Sequence, residues 1–348
     1  MRPGEAFAVG FEEPTLPDDV VALAERAGLG AVILFARNCP TAEAVLALTA
    51  ACRRLGPEVL VLVDHEGGRV HRLPAPFTRF PAAAVVGRAG DPMLAAAVAR
   101  AMARELRSAG FDSGLTPVLD CLTDPRAEVI GDRAFASDPE TVAACGVAFV
   151  TAVLEEGLIP VAKHFPGHGR TPVDSHLDLP EVAVSIEDLE RVDLVPFRRA
   201  FAVGCPAVMV AHVRYAGLDP DWPASLSSVV IGDLLRRRLG FAGLVMSDDF
   251  EMHAVARRWE VGTAAVRFLQ AGGDLVLVCR SGEARREAAA AVEAAVAGGH
   301  LSLEAATARW SALRALRAAA PLAPDARVIG CPEHRALAEE VARRGGGA

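Results

Sequence analysis

A chain of 348 residues with 52% hydrophobic and 23% charged side chains can bury a large core, and its composition is far from that of a disordered protein. A net charge of -8, with arginines scattered rather than striped, offers no basic face to nucleic acid or to an anionic membrane. No apolar run approaches the roughly 18 residues of a membrane span. The start, Met1-Arg2-Pro3-Gly4-Glu5, soon meets Glu12, Glu13, Asp18 and Asp19 with no signal-peptide core between, so a cytoplasmic protein is expected.

Taken in chain order, short apolar runs recur at 7–9, 31–35, 59–63, 115–119, 159–162, 207–210, 244–246 and 275–278. Their apolarity is continuous rather than alternating, which suits strands buried on both faces of a parallel sheet. Helix signals stand between them. Asp91-Pro92 reads as an N-cap followed by an N1 proline, Ser137-Asp138-Pro139-Glu140 as a capping box, and Ser185 with Asp188 as another helix start. Gly28, Gly157, Gly204 and Gly240 sit where helices should stop. Eight strands alternating with helices predict a single-domain (β/α)8 barrel spanning 1–348, with an open doubly wound sheet as the runner-up. No GxGxxG follows the first strand, which weakens a dinucleotide fold and implies no cofactor of that kind. The tail, 302–319 and 333–344, reads as extra helices packed on the outside. The seven cysteines are odd in number and form no CxxC pair, so reduced, mostly buried thiols are expected.

In a barrel of this type the reactive groups lie where strands end. Strand three here ends in Asp64, followed by His65-Glu66-Gly67-Gly68-Arg69-Val70-His71-Arg72; strand four ends in Asp120, strand five in Lys163-His164, strand six in His212 and strand seven in Ser247-Asp248-Asp249. The loop 163–176 is the most distinctive stretch. It holds three histidines, an aspartate, two prolines and two glycines, and Lys163 is the only lysine among the 36 Lys+Arg of the chain. A loop this long within a compact chain is usually functional. Zinc is not favoured: Phe165-Pro166-Gly167 forbids the helix that would align His164 with His168, and no Cys or Glu is near to complete a ligand set. His168 reads as a loop brace. In Asp174-Ser175-His176, the carboxylate can fix one ring nitrogen of His176 and leave the other to move protons. Of Asp248 and Asp249, strand alternation lets only one face the barrel axis, where it could act as a nucleophile. The glycine doublet after Glu66 reads as a turn that brings backbone close to a ligand.

These motifs carry a resemblance. KHFPGHGRTPVDSH at 163–176, VDHEGGRVHR at 63–72, GDRAF at 131–135 and SDD at 247–249 resemble the glycoside hydrolase family 3 β-N-acetylhexosaminidases, over about residues 5–315. Within that family the chain is similar to the single-domain cytoplasmic branch that removes N-acetylglucosamine from cell-wall muropeptide fragments during peptidoglycan recycling. The resemblance implies a TIM-type barrel, Asp248 as nucleophile and His176 as acid/base assisted by Asp174. It implies that Asp64, Arg72, Arg133, Lys163 and His164 hold the sugar, with no metal. His65 and His71 stand where the family pattern has glutamines. The implied chemistry is retaining hydrolysis in two steps. A neutral imidazole would not repel phosphate as a carboxylate would, so a glycosyl phosphorylase is the nearest alternative. A broader β-glycosidase, or an inactive sugar-binding protein, stands further off. Neither the aglycone nor the oligomeric state is legible.

Overall fold

The structure, a computed structural model, describes residues 1–171, 178–320 and 325–346. Its strands are β1 (Phe7–Val9), β2 (Ala31–Leu34), β3 (Leu60–Val63), β4 (Val161–Phe165), β5 (Glu181–Val182), β6 (Ala207–Val210), β7 (Arg214–Tyr215), β8 (Leu244–Asp249) and β9 (Leu275–Val278). Among the described residues, seven of them form one curled parallel sheet in the order β3-β2-β1-β9-β8-β6-β4, while β5 pairs only with β7. Helices such as Asp18–Ala27, Ala42–Arg53 and Val261–Gln270 lie between successive sheet strands, supplying the crossovers that parallel pairing requires.

The pleat divides the core in two. Leu60 and Leu62 join Ala31, Ile33, Val161, Met209, Met246 and Leu277 in an inner cluster, whereas Val61 and Val63 join Val32, Val208, Val245 and Val276 in the outer cluster shared with the helices. Continuous apolarity in sequence is therefore two apolar faces in space.

The expected strand at 115–119 is not regular. Leu115 has φ 47°, which breaks the side-chain alternation, and Pro117 brings no amide hydrogen to a ladder. Its segment is nevertheless bonded on both sides: Val63 and His65 donate to the carbonyls of Ser113 and Gly114, and Val161 and Lys163 donate to those of Thr116 and Pro117. The strand expected at 159–162 runs instead through Lys163 and His164 to Phe165. Asp91 and Ser185 cap their helices as the sequence predicts, accepting from the amides of Met93 and Asp188. At the third start the cap is Asp138, accepting from Thr141, and not Ser137.

The larger correction concerns the tail. Helix Pro332–Gly345 does pack outside, its Gly345 carbonyl accepting from Arg88. Helix Glu304–Ala319 does not: it places Trp310, fully buried, and Leu313 in the inner cluster with Ala8, Ala31 and Leu60. Its arginines reach acids at the strand starts: Arg309 pairs with Asp274 just before β9, Arg314 with Glu58 near β3, and Arg317 with Asp112. This helix plugs the N-terminal end of the sheet. Gly30, before β2, permits it, since an added Cβ would lie 2.4 Å from the Glu5 carbonyl and 2.9 Å from the Trp310 ring.

Candidate active site

The inward register continues past the apolar layer at the C-terminal strand ends. Two residues beyond Leu62, Val161, Met246 and Leu277 stand Asp64, Lys163, Asp248 and Cys279, and all four line one cavity of about 320 Å³. The same cavity is lined by Arg72, Arg133, His164, His168, Glu66 and Asp249. Six of the eight predicted site residues are thus brought together; Asp174 and His176 lie outside the described residues.

Lys163 is 1% exposed, and its ammonium contacts Asp64 Oδ1 at 2.8 Å and Glu66 Oε1 at 2.7 Å. Arg133 grips Glu66 through two bonds, Nε to Oε2 and Nη2 to Oε1, both 2.8 Å. Burial alone would raise the Glu66 carboxyl, but the Arg133 and Lys163 charges outweigh it and hold that carboxyl well below the usual range. Burial likewise works against the Lys163 ammonium, yet Asp64 and Glu66 leave its pKa above the ordinary value, so it stays charged.

His164 lies between Asp120 and Arg133. Its Nδ1 is 2.7 Å from Asp120 Oδ2 and its Nε2 is 3.3 Å from Arg133 Nη2. A carboxylate needs a donor and a guanidinium can only donate, so the geometry assigns the hydrogen to Nδ1 and the lone pair to Nε2. Asp120, fully buried, also accepts the amide of His168 at 2.6 Å. Burial would raise its carboxyl, but His164 and the donors from His168 hold it below the ordinary value.

The loop after β4 is pinned along its described part. Tyr215 donates to the Gly167 carbonyl, Thr123 to that of Gly169, and Arg170 Nε to Asp193 Oδ2 at 2.8 Å. His168 is indeed a brace, its Nδ1 2.6 Å from Thr171 Oγ1, but it also lines the cavity. Burial, then the neighbouring His164, pushes its pKa down to about 4.

Asp248 and Asp249 both line the cavity, against the expectation that only one would. A register shift between β8 and β9 at Met246/Asp249 interrupts the alternation on which that expectation stood. Asp248 Oδ1 accepts the Asp249 amide at 2.8 Å, fixing the carboxylate's rotation. Burial raises the Asp249 carboxyl to about 7, with the Glu251 and Asp248 charges adding to that rise. His65 and His71 lie with ring centroids 4.4 Å apart and ring planes tilted by 45°, and neither is among the residues that line the cavity.

Sequence reasoning missed three members of the site. In the sequence Glu66 is legible only as part of a turn, and Asp120 only as the end of a strand. Composition shows Cys279 only as one thiol of seven, although its place two residues beyond inward-facing Leu277 is a usable signal. No group of three or more His, Cys, Asp or Glu among the described residues is arranged to hold a metal.

A polar cavity lined by charged groups at the C-terminal ends of a parallel α/β sheet is the arrangement of an enzyme acting on a small polar substrate. The model of the glycosyl hydrolase family 3 N terminal domain matches residues 12–315, and the chain belongs to glycosyl hydrolase family 3. It is 42% identical over 267 residues to a β-hexosaminidase of Methylococcus capsulatus, covering 76% of this chain and 79% of that one. Among solved structures it is similar to a family 3 β-N-acetylglucosaminidase from Paenibacillus sp., with TM-score 0.94 and 36% identity over 99% of this chain and 68% of that one. NagZ from Neisseria gonorrhoeae, solved in complex with N-trifluoroacetyl-D-glucosamine, is 33% identical with TM-score 0.80 over 98% of each chain.

Proposed function

We propose that this protein is a retaining β-N-acetylglucosaminidase that removes terminal N-acetylglucosamine from cell-wall muropeptide fragments in the cytoplasm. The observation that carries this reading is the shared cavity, in which Asp248 meets Asp64, Arg72, Arg133, Lys163 and His164. The family membership, the β-hexosaminidase relatives and a neighbour that holds an N-acylated glucosamine support it. No described helix is long and apolar enough to cross a membrane. We read the parallel sheet, bridged edge to edge by 113–118, as a (β/α)8 barrel folded as one catalytic domain.

Asp64, Arg72, Lys163, His164 and Arg133 hold the sugar hydroxyls. The Asp248 carboxylate, oriented by the Asp249 amide, attacks the anomeric carbon through an oxocarbenium-like transition state while the C–O bond to the aglycone breaks. His176 gives its proton to the departing oxygen, with Asp174 fixing its tautomer. Neutral His176 then takes a proton from water, the water oxygen displaces Asp248, and the sugar leaves with its configuration kept.

Product analysis on β-N-acetylglucosaminides, β-glucosides and β-xylosides, with and without phosphate, tests this reading. Release of N-acetylglucosamine as the β-anomer first, at a rate indifferent to phosphate, is expected. A sugar 1-phosphate would make the protein a phosphorylase, and turnover confined to β-glucosides or β-xylosides would overturn the sugar assignment.

A further inference from the structure

Two cations in the cavity bond to the same atom. Lys163 Nζ lies 2.7 Å from Glu66 Oε1, and Arg133 Nη2 lies 2.8 Å from that same oxygen. Glu66 is 5% exposed at its side chain and Lys163 1%, so water contributes little to keeping these like charges apart. The remaining contacts divide between them. Arg133 also holds Glu66 Oε2 and the Val129 carbonyl and approaches His164; Lys163 also holds Asp64. Glu66 itself is fixed by its backbone, its amide donating to the Val70 carbonyl within the tight turn that Gly67 and Gly68 close. The turn therefore presents one carboxylate, from a rigid stem, to two cations on separate elements, Lys163 on β4 and Arg133 at the end of the short helical turn Gly131–Arg133.

We infer that Glu66 is a positioning residue for substrate binding: its Oε1 is the common counter-ion that locks the Lys163 ammonium and the Arg133 guanidinium into a single sugar-recognition unit. The inference rests on the reading of Lys163 and Arg133 as sugar-holding groups. It assigns to the glycine doublet a purpose beyond close backbone approach, namely holding the carboxylate still. An isosteric amide cannot replace it. A glutamine oxygen offers no formal charge, and its NH2 group would point donors at donors on one side of the fork. The two cations would then repel across a site of low dielectric, and each would be drawn to its remaining partner, Lys163 to Asp64 and Arg133 toward its backbone carbonyl.

The test compares Glu66→Gln, Glu66→Asp, Lys163→Met and the double variant Lys163→Met/Glu66→Gln on 4-nitrophenyl N-acetyl-β-D-glucosaminide, with N-acetylglucosamine as competing inhibitor. Glu66→Gln should raise KM and the inhibition constant by at least about 30-fold, with a smaller change in kcat, because binding rather than the Asp248 chemistry is disturbed. Glu66→Asp keeps the charge on a shorter stem and should recover most of that loss. The double variant should be no worse than Lys163→Met alone within about threefold, since with one cation gone the counter-ion has less to hold. It also keeps the charges nearer balance should Glu66→Gln fold poorly. KM and inhibition constant unchanged in Glu66→Gln, Glu66→Asp as impaired as Glu66→Gln, or strictly multiplicative losses in the double variant would each overturn the inference. Wild-type protein inactive on this substrate would instead overturn the functional reading beneath it.

Discussion

Lys163 is the residue where sequence and structure meet most directly. It stood out as the only lysine in the chain, and it lies buried between Asp64 and Glu66 at the cavity floor. An arginine keeps the charge but needs room for a planar fork, so Lys163→Arg should raise KM about tenfold or more, the loss of one charged hydrogen bond being about 1.5–3 kcal/mol. Steady-state kinetics that give an unchanged KM would reduce Lys163 to a wall residue. His176 was legible by its motif alone, and the test of its role is chemical. General acid help matters for poor leaving groups and typically contributes a factor of about 10² to 10⁴. His176→Ala should therefore steepen the dependence of kcat/KM on aryl leaving-group pKa, whereas a line parallel to wild type would leave it a binding residue. Glu66 was not legible in the same way. Nothing in EGGR announces that its carboxylate serves two cations, because both arrive from elements distant in sequence, Lys163 from β4 and Arg133 from the turn at Gly131–Arg133.

At the scale of the element, apolar runs were sufficient to find strands and insufficient to say which were regular. The run at 115–119 carries Thr116 and Pro117 among its apolar residues, and φ 47° at Leu115 with that proline denies it a regular ladder. The tail helix failed for a different reason. An apolar stripe fits the outside of a sheet and its open end equally well, and the arginines that settle the matter pair with Asp274, Glu58 and Asp112, all remote in sequence. The plug makes its own prediction. Trp310→Ala should cost about 3–5 kcal/mol in urea unfolding, as removal of a buried aromatic ring does. It should leave kcat/KM at 25 °C near wild type, because the cavity is at the opposite strand ends. Trp310→Phe should cost far less, since the buried indole N–H has no hydrogen-bond partner among the described residues. A loss below about 1 kcal/mol for the alanine variant would mean the helix only rests on the sheet.

Across the whole molecule, buried titratable groups set how stability follows pH. Burial, then His71 and Arg72, pushes the His65 pKa from 6.5 down to about 3, and its Nδ1 has no hydrogen-bond partner among the described residues. The unfolded chain takes up a proton near 6.5 that the folded chain refuses until about 3. Stability from His65 is therefore whole above 6.5 and lost as pH falls through that window. Buried Asp193 and Asp249, raised to about 6 and about 7, act with the opposite sign: their contribution is whole below 3.8 and lost as pH rises toward those values. The wild-type curve mixes these trends, so the informative quantity is a difference between variants. His65→Gln should gain on wild type by up to about 1.4 kcal/mol for each pH unit below about 6, measured by denaturant unfolding down to about pH 4. A difference that stays constant with pH would show that His65 is not held neutral.

The central claim is that Asp248 attacks the sugar. A fluorinated N-acetylglucosaminyl analogue that slows the second step should leave a covalent glycosyl group on the protein, and peptide mass mapping should place it on Asp248. A label on Asp249, or first-formed product of inverted configuration by NMR, would contradict the account.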